Sequence, residues 1–224
     1  MLRASKRLLA AAVVLSFTAL CHAAPEPPSE LDHGDAPDTR YVTSWVLATA
    51  DNQGRPFAIV DKRSARISVF EADGRLIGSS AALLGVDAGD FSVPDITHRA
   101  PASLSAGERT TPAGRFPTQP GHNDKGEEIV WFDYGASLAI HRLRPAPLQE
   151  RRSQRLDSPT SADNRISLGC VVVPVAFYVS VVQPNLGRQR GVVYVLPESI
   201  PVQAMFGTMA VSMAPPSAAR YQSK

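Results

Sequence analysis

The sequence predicts a mostly β domain carrying one or two packed helices, and three observations lead there. Short apolar runs punctuated by Gly-, Pro- and Asp-containing turns fill the middle of the chain. Helical spacing shows in only two stretches, one near residue 40 and one after residue 173. No long apolar segment follows the N-terminal one, and 224 residues suit one globular domain.

The chain opens "MLRASKRLLAAAVVLSFTALCHAAPEPP". Three cations (Arg3, Lys6, Arg7) precede a short apolar run from Leu8 to Leu20 that ends in small residues. That is the pattern of a cleavable export signal rather than a bilayer span. Cleavage after Ala23 is expected, which removes Cys21 and takes the formal charge from +2 to about −1. An exported, periplasmic protein follows, without a transmembrane segment once the signal is gone. A near-neutral chain poor in aromatics offers no electrostatic basis for binding nucleic acid. The expected organisation is a signal peptide over 1–23, a disordered Pro- and acid-rich leader over 24–38, one domain over 39–208 and a flexible tail over 209–224.

Within the domain, Asp38 or Thr39 can cap a helix that places Tyr41, Trp45 and Ala48 on one face. "PFAIVDKRSARISVF" then holds two apolar runs around a polar turn, with Ile67 and Val69 alternating as in a half-buried strand. "EADG" turns the chain into "RLIGSSAALLG". Residues 86–110 have no period and read as a long surface loop. "NDKGEE" is a hairpin turn, and "EIVWFDY" and "SLAIHRL" are strands joined at Gly135. Residues 144–165 are rich in arginine and lack apolar periodicity, as expected of a functional lid or a disordered insert. A helix starting near Val173, with Pro174 in its first turn, should run to about Pro184. "GVVYVLP" closes the domain as a buried strand.

Cysteine 170, in "NRISLGCVVV", is then the one thiol of the mature chain. Its spacing leaves open a reactive thiol, an intermolecular bridge or a small buried hydrophobe. As a nucleophile it would need a base and donors for an oxyanion. The expected helix N-terminus would favour a thiolate, and amides around Gly169 and Cys170 offer an oxyanion site, with the Ser167 hydroxyl on the same turn. Among the histidines, His33 lies in the leader and His98 and His122 lie in loops. His141 lies on a strand, the more rigid platform for a base, although a lone strand histidine is commonly structural. Arg142 and Arg165 flank these groups and suit carboxylates. No His, Cys, Asp or Glu pair has metal-ligand spacing, and no phosphate loop is present, so neither metal nor cofactor is expected.

The order "SARISVFEADGRLI", "TTPAGRF", a strand histidine in "AIHR", then "SLGCVVVP" resembles the YkuD-type L,D-transpeptidase catalytic domain over roughly residues 55–197. The resemblance implies a β-rich sandwich or barrel of that family. It implies Cys170 as nucleophile, His141 as base, and Ser167 and Gly169 as residues that shape the site. The implied substrate is a peptidoglycan tetrapeptide stem, attacked at its third residue with release of D-alanine through a thioester. The acceptor would be a neighbouring stem or, in some members, a wall-linked protein. Water as acceptor would make an L,D-carboxypeptidase, and a catalytically weak peptidoglycan-binding member is the other alternative. The sequence departs from the family pattern at Leu168, where a histidine is usual, and at Val172, where Arg or Asn is usual. The stretch from His141 to Cys170 is also longer than the common form.

Overall fold

A computed structural model describes residues 36–93, 96–100 and 103–207. The expected signal peptide, the leader up to residue 35 (with His33) and the tail lie outside the described residues. The protein is β-rich, with few helices. A five-stranded sheet has the order β3-β2-β1-β11-β5, where β1 is Phe57–Asp61, β2 Arg66–Phe70, β3 Leu76–Ala81, β5 Gly114–Pro117 and β11 Val192–Val195. A four-stranded sheet has the order β10-β8-β7-β6, where β6 is Gln119–His122, β7 Glu128–Asp133, β8 Leu138–Arg142 and β10 Val171–Val173. A short pair joins β4 (Leu84–Gly85) to β9 (Arg165–Ser167).

The two larger sheets share one apolar core. Val60, Ile67, Val69, Val193 and Val195 of the first sheet are buried with Val130, Phe132, Leu138, Ile140 and Val171 of the second, a β-sandwich contact. The other face of the first sheet is covered by α1 (Pro37–Thr49) and α5 (Val202–Phe206), through Val42, Val46, Phe57, Tyr194 and Phe206. This double cover explains why β2 is not the half-buried strand its alternation predicts: Ser68 is buried as well as Ile67 and Val69. It also explains the unbroken apolar character of β1 and β11, which pair in parallel at the middle of the sheet.

Helix α1 differs in detail from expectation. Ala36 is the N-cap and Pro37 the first residue, so Asp38 sits in the first turn as a charge favoured by the helix dipole. Its inward face is Thr39, Val42 and Val46, with Tyr41 and Trp45 packed against the same core and Ala48 exposed.

Two further expectations are corrected near Cys170. The valines that follow it form strand β10, not the start of a helix: three β-branched residues favour extended backbone. Val172 also exchanges hydrogen bonds with Leu83. The helical run begins at Val175, after Pro174 as N-cap, and continues as α3 (Val175–Phe177), a π turn (Tyr178–Val182) and α4 (Gln183–Asn185). The arginine-rich segment is ordered as well. It contains α2 (Arg152–Leu156), whose Leu156 is buried with Leu83 and Val172. Asn164 holds it down by donating to the Ala82 carbonyl at 3.2 Å. Among the described residues no helix is long and apolar enough to cross a membrane.

Candidate active site

Strands β8 and β10 bring the sequence-predicted pair together. They run in parallel with His141 opposite Val172 and Ile140 opposite Val171. Cys170, one residue before β10, therefore lies on the same face as His141, two positions out of register. Both line one cleft of about 470 Å³, together with Ser137, Ser167 and Leu168.

The imidazole is nearly enclosed, at 7% exposure. Its Nδ1 lies 2.8 Å from the Arg142 carbonyl oxygen. A carbonyl only accepts, so Nδ1 carries the proton and Nε2 keeps its lone pair as the basic atom. Burial pushes the His141 pKa down to about 4; the Arg142 carbonyl opposes the shift and the Arg144 cation adds to it. The ring is therefore neutral at pH 7.

Cys170 is partly exposed at the cleft, and its thiol donates to the Ser137 carbonyl at 3.7 Å. Burial of the sulfur pushes its pKa up, against a backbone hydrogen bond at Ala139 and the Arg144 cation. This differs from the expected helix-assisted thiolate, because β10 separates Cys170 from the helix that begins at Val175. The resting cleft thus holds a neutral thiol and a neutral imidazole. Attack by the thiol would need His141 to take its proton as general base.

The turn carrying Cys170 is held from two sides. The Ser167 hydroxyl donates to the Cys170 carbonyl at 2.6 Å and accepts from the Gly169 N–H at 3.0 Å. The Thr111 hydroxyl, fully buried, donates to the Gly169 carbonyl at 2.9 Å and accepts from the Gly85 N–H at 2.9 Å. Gly169 has φ +120°, and a Cβ there would stand 2.7 Å from the Thr110 carbonyl and 2.8 Å from Leu138 Cδ2. Ser167 and Gly169 thus set the shape of the turn. The Gly169 amide is already used by Ser167, which removes it from the oxyanion donors suggested by the sequence. Gly169→Ala is expected to cost about 1–3 kcal/mol in denaturant unfolding from backbone strain. An unchanged midpoint would contradict that role.

Behind Thr111 lies a cluster that the sequence does not announce. Lys62 is fully buried; its ammonium donates to Asp90 Oδ1 at 2.9 Å, to the Thr111 carbonyl at 3.1 Å and to the Gly89 carbonyl. Asp90 also accepts from the Glu198 and Ser199 amides at 2.8 and 2.9 Å and from the Ser199 hydroxyl. Burial works to raise the Asp90 pKa, but Ser199, Lys62 and the two amides together hold it well below the usual carboxylate range.

The two predicted arginines are placed elsewhere. Arg165 pairs with Glu198 Oε2 at 2.5 Å and donates to the Lys62 carbonyl at 2.9 Å, so it belongs to the buried cluster. Arg142 neighbours His141 on the strand and so points to the opposite face; it pairs with Glu127 Oε1 at 2.7 Å and lies 5.8 Å over the Tyr178 ring. Neither lines the cleft. Arg144 and Arg152 do. Among the described residues no group of three or more His, Cys, Asp or Glu side chains is arranged to hold a metal.

No protein-family model matches the chain, and no curated protein does. Solved structures do. The catalytic domain of an Enterococcus faecium L,D-transpeptidase is 19% identical at a TM-score of 0.35, with 64% of this chain and 98% of that one aligned. An L,D-transpeptidase from Mycobacterium smegmatis is 16% identical at a TM-score of 0.35, covering 63% of this chain and 58% of that one. A Clostridium acetobutylicum fused Zn-dependent amidase/peptidase/peptidoglycan-binding domain protein is 16% identical at 0.34, covering 72% and 64%. The chain spans about half, 49%, of the length of the Ldtfm–avibactam carbamoyl enzyme, which it also matches at 17% identity and a TM-score of 0.36.

Proposed function

We propose that this protein is an exported cysteine acyltransferase of the L,D-transpeptidase type, acting on peptidoglycan stem peptides outside the inner membrane. The observation that carries the reading is the pairing in one cleft of Cys170 with a neutral His141 whose Nδ1 is fixed on the Arg142 carbonyl. The order of motifs from "TTPAGRF" to "SLGCVVVP" supports it.

In this reading His141 Nε2 takes the Cys170 proton as the sulfur attacks the carbonyl of the third stem residue. The bond to D-alanine breaks, the departing nitrogen receives that proton from the imidazolium, and a thioester remains on Cys170. An amine from a neighbouring stem or a wall-linked protein then attacks the thioester and gives its proton to His141. The new amide leaves, and the thiol is restored. Water in place of the amine yields a tripeptide and makes the enzyme an L,D-carboxypeptidase. Leu168, 38% exposed at the cleft, and Val172, buried in β10, replace polar groups of the family pattern. The acylation step uses neither.

The test is incubation of residues 24–224 with a disaccharide-tetrapeptide, read by mass spectrometry beside a Cys170→Ala control. Release of D-alanine only with the thiol present is expected. A cross-linked dimer identifies a transpeptidase and a bare tripeptide a carboxypeptidase. An unaltered tetrapeptide would remove the catalytic reading and leave peptidoglycan binding on the same fold as the alternative.

A further inference from the structure

Two guanidinium groups reach the same cleft as the thiol, and neither is among the arginines that the motifs single out. Arg144 and Arg152 both come from the long segment between His141 and Cys170 and line the cleft beside those residues. Each forms an ion pair through its inner nitrogen. Arg144 Nε lies 2.5 Å from Glu127 Oε2, and the same carboxylate holds Arg142. Arg152 Nε donates to Glu150 Oε2 at 2.5 Å. No hydrogen bond from an Nη atom of either is found among the described residues, so the outer edge of each fork is available to a planar oxyanion. Both side chains are partly exposed, at 35% and 23%. Their field reaches the chemistry: Arg144 acts on both Cys170 and His141, and Arg152 acts on His141. Asp124 and Glu150 also line the cleft, so it carries both signs.

We propose that Arg144 and Arg152 form a carboxylate-binding site beside Cys170 that seats the anionic end of the peptide being cleaved. If acyl transfer is the reaction, such a site selects peptides with a free carboxylate close to the scissile bond. The terminal α-carboxylate of a tetrapeptide lies one residue beyond that bond, whereas a longer stem presents a neutral amide there. A carboxylate on the side chain of the third residue has the same chemistry, and the two sources are separable by experiment.

The direct test does not depend on the acyl-transfer reading. Cys170 is alkylated in the full mature chain with iodoacetate, which carries a carboxylate, and in parallel with neutral iodoacetamide. The ratio of the two rates cancels any change in thiol ionisation, which enters both equally. Relative to N-acetylcysteinamide at the same pH and salt, the ratio is expected to rise about tenfold, the size of one charge-assisted hydrogen bond. It should fall back in Arg144→Gln/Arg152→Gln and fall only part of the way in the Lys variants, which keep the charge and lose the fork. A wild-type ratio no higher than that of the free thiol overturns the proposal even if the variants fail to fold. A raised ratio that is equal in wild type and in the folded Gln variant also overturns it.

Competitors then identify the source. Protection by N-acetyl-D-alanine but not by its amide assigns the terminal carboxylate, and protection by a diamino dicarboxylic acid assigns the third side chain. A raised ratio without D-alanine release would retain the carboxylate site and reject the acyl-transfer reading. D-alanine release with a flat ratio would do the reverse.

Discussion

Replacing His141 with glutamine is expected to slow thioester formation at Cys170 by about 10²–10⁴-fold, the usual contribution of a positioned general base. Glutamine preserves much of the buried volume and can still donate to the Arg142 carbonyl, but it offers no basic nitrogen. The assay is single-turnover acylation followed by mass spectrometry of the intact protein. A loss of less than about fivefold would remove His141 from the proton-transfer role. The pH profile adds a second reading. With its pKa pushed down to about 4, the imidazole stays basic well below the ordinary histidine range, so the acid limb of acylation should fall near pH 4 rather than near 6.5. The sign for stability follows from the same shift. An unfolded His141 protonates near pH 6.5 and the folded one near 4. Its contribution is therefore full above about pH 6.5 and is lost as the pH falls toward 4.

The largest expected loss of stability is at Lys62. Lys62→Met removes a fully buried ammonium and leaves the Asp90 carboxylate, the Gly89 carbonyl and the Thr111 carbonyl without that donor. Stranding one member of a buried ion pair costs about 3–5 kcal/mol. The retained bonds to Asp90 from Ser199 and the Glu198 amide put the expectation toward the lower end. Urea denaturation measures it, and a second substitution, Asp90→Leu, should recover part of the loss because the stranded charge goes with it. A single mutant as stable as wild type would show that the pair contributes no net stability. The low pKa of Asp90 adds stability above the ordinary carboxylate range, and that contribution is lost as the pH falls through the folded value.

Strand identity was largely readable from the sequence because apolar runs and turn chemistry coincide from β1 to β3 and again from β7 to β8. The departures from expectation at β2 and β10 each have a physical source. Alternation reports burial only when one face of a strand is wet, and β2 is covered on both faces. The β-branched run after Cys170 reads as entry to a helix because Pro174 suits a first turn; pairing with β8 and Leu83 makes it a strand, and those partners are distant in sequence. His141 lies near the end of a strand that apolar alternation picks out, but Cys170 precedes a strand where a helix is expected, so their meeting in one cleft depends on the β8–β10 pairing and is not readable from either stretch alone. Nor are the positions of the arginines. Strand alternation turns Arg142 away from His141, and Glu198 captures Arg165. The segment holding Arg144 and Arg152 has no periodicity from which orientation follows. Lys62 looks like part of a polar turn, and Asp90 like part of a surface loop, so their pairing could not be read from either locality.

The parallel union of β1 with β11 also has a kinetic consequence. The strand at the middle of the large sheet must wait for a partner from the far end of the domain, and the Lys62 cluster likewise waits for Glu198 and Ser199. Such long-range pairing raises contact order and slows folding. As the chain is synthesised the N-terminal strands emerge first, with one edge of β1 open until the C-terminal residues follow. The large sheet and the Lys62 cluster would therefore close among the last parts of the molecule, late enough that a chaperone able to shield an open strand edge would speed maturation more than one acting on the N-terminal helix.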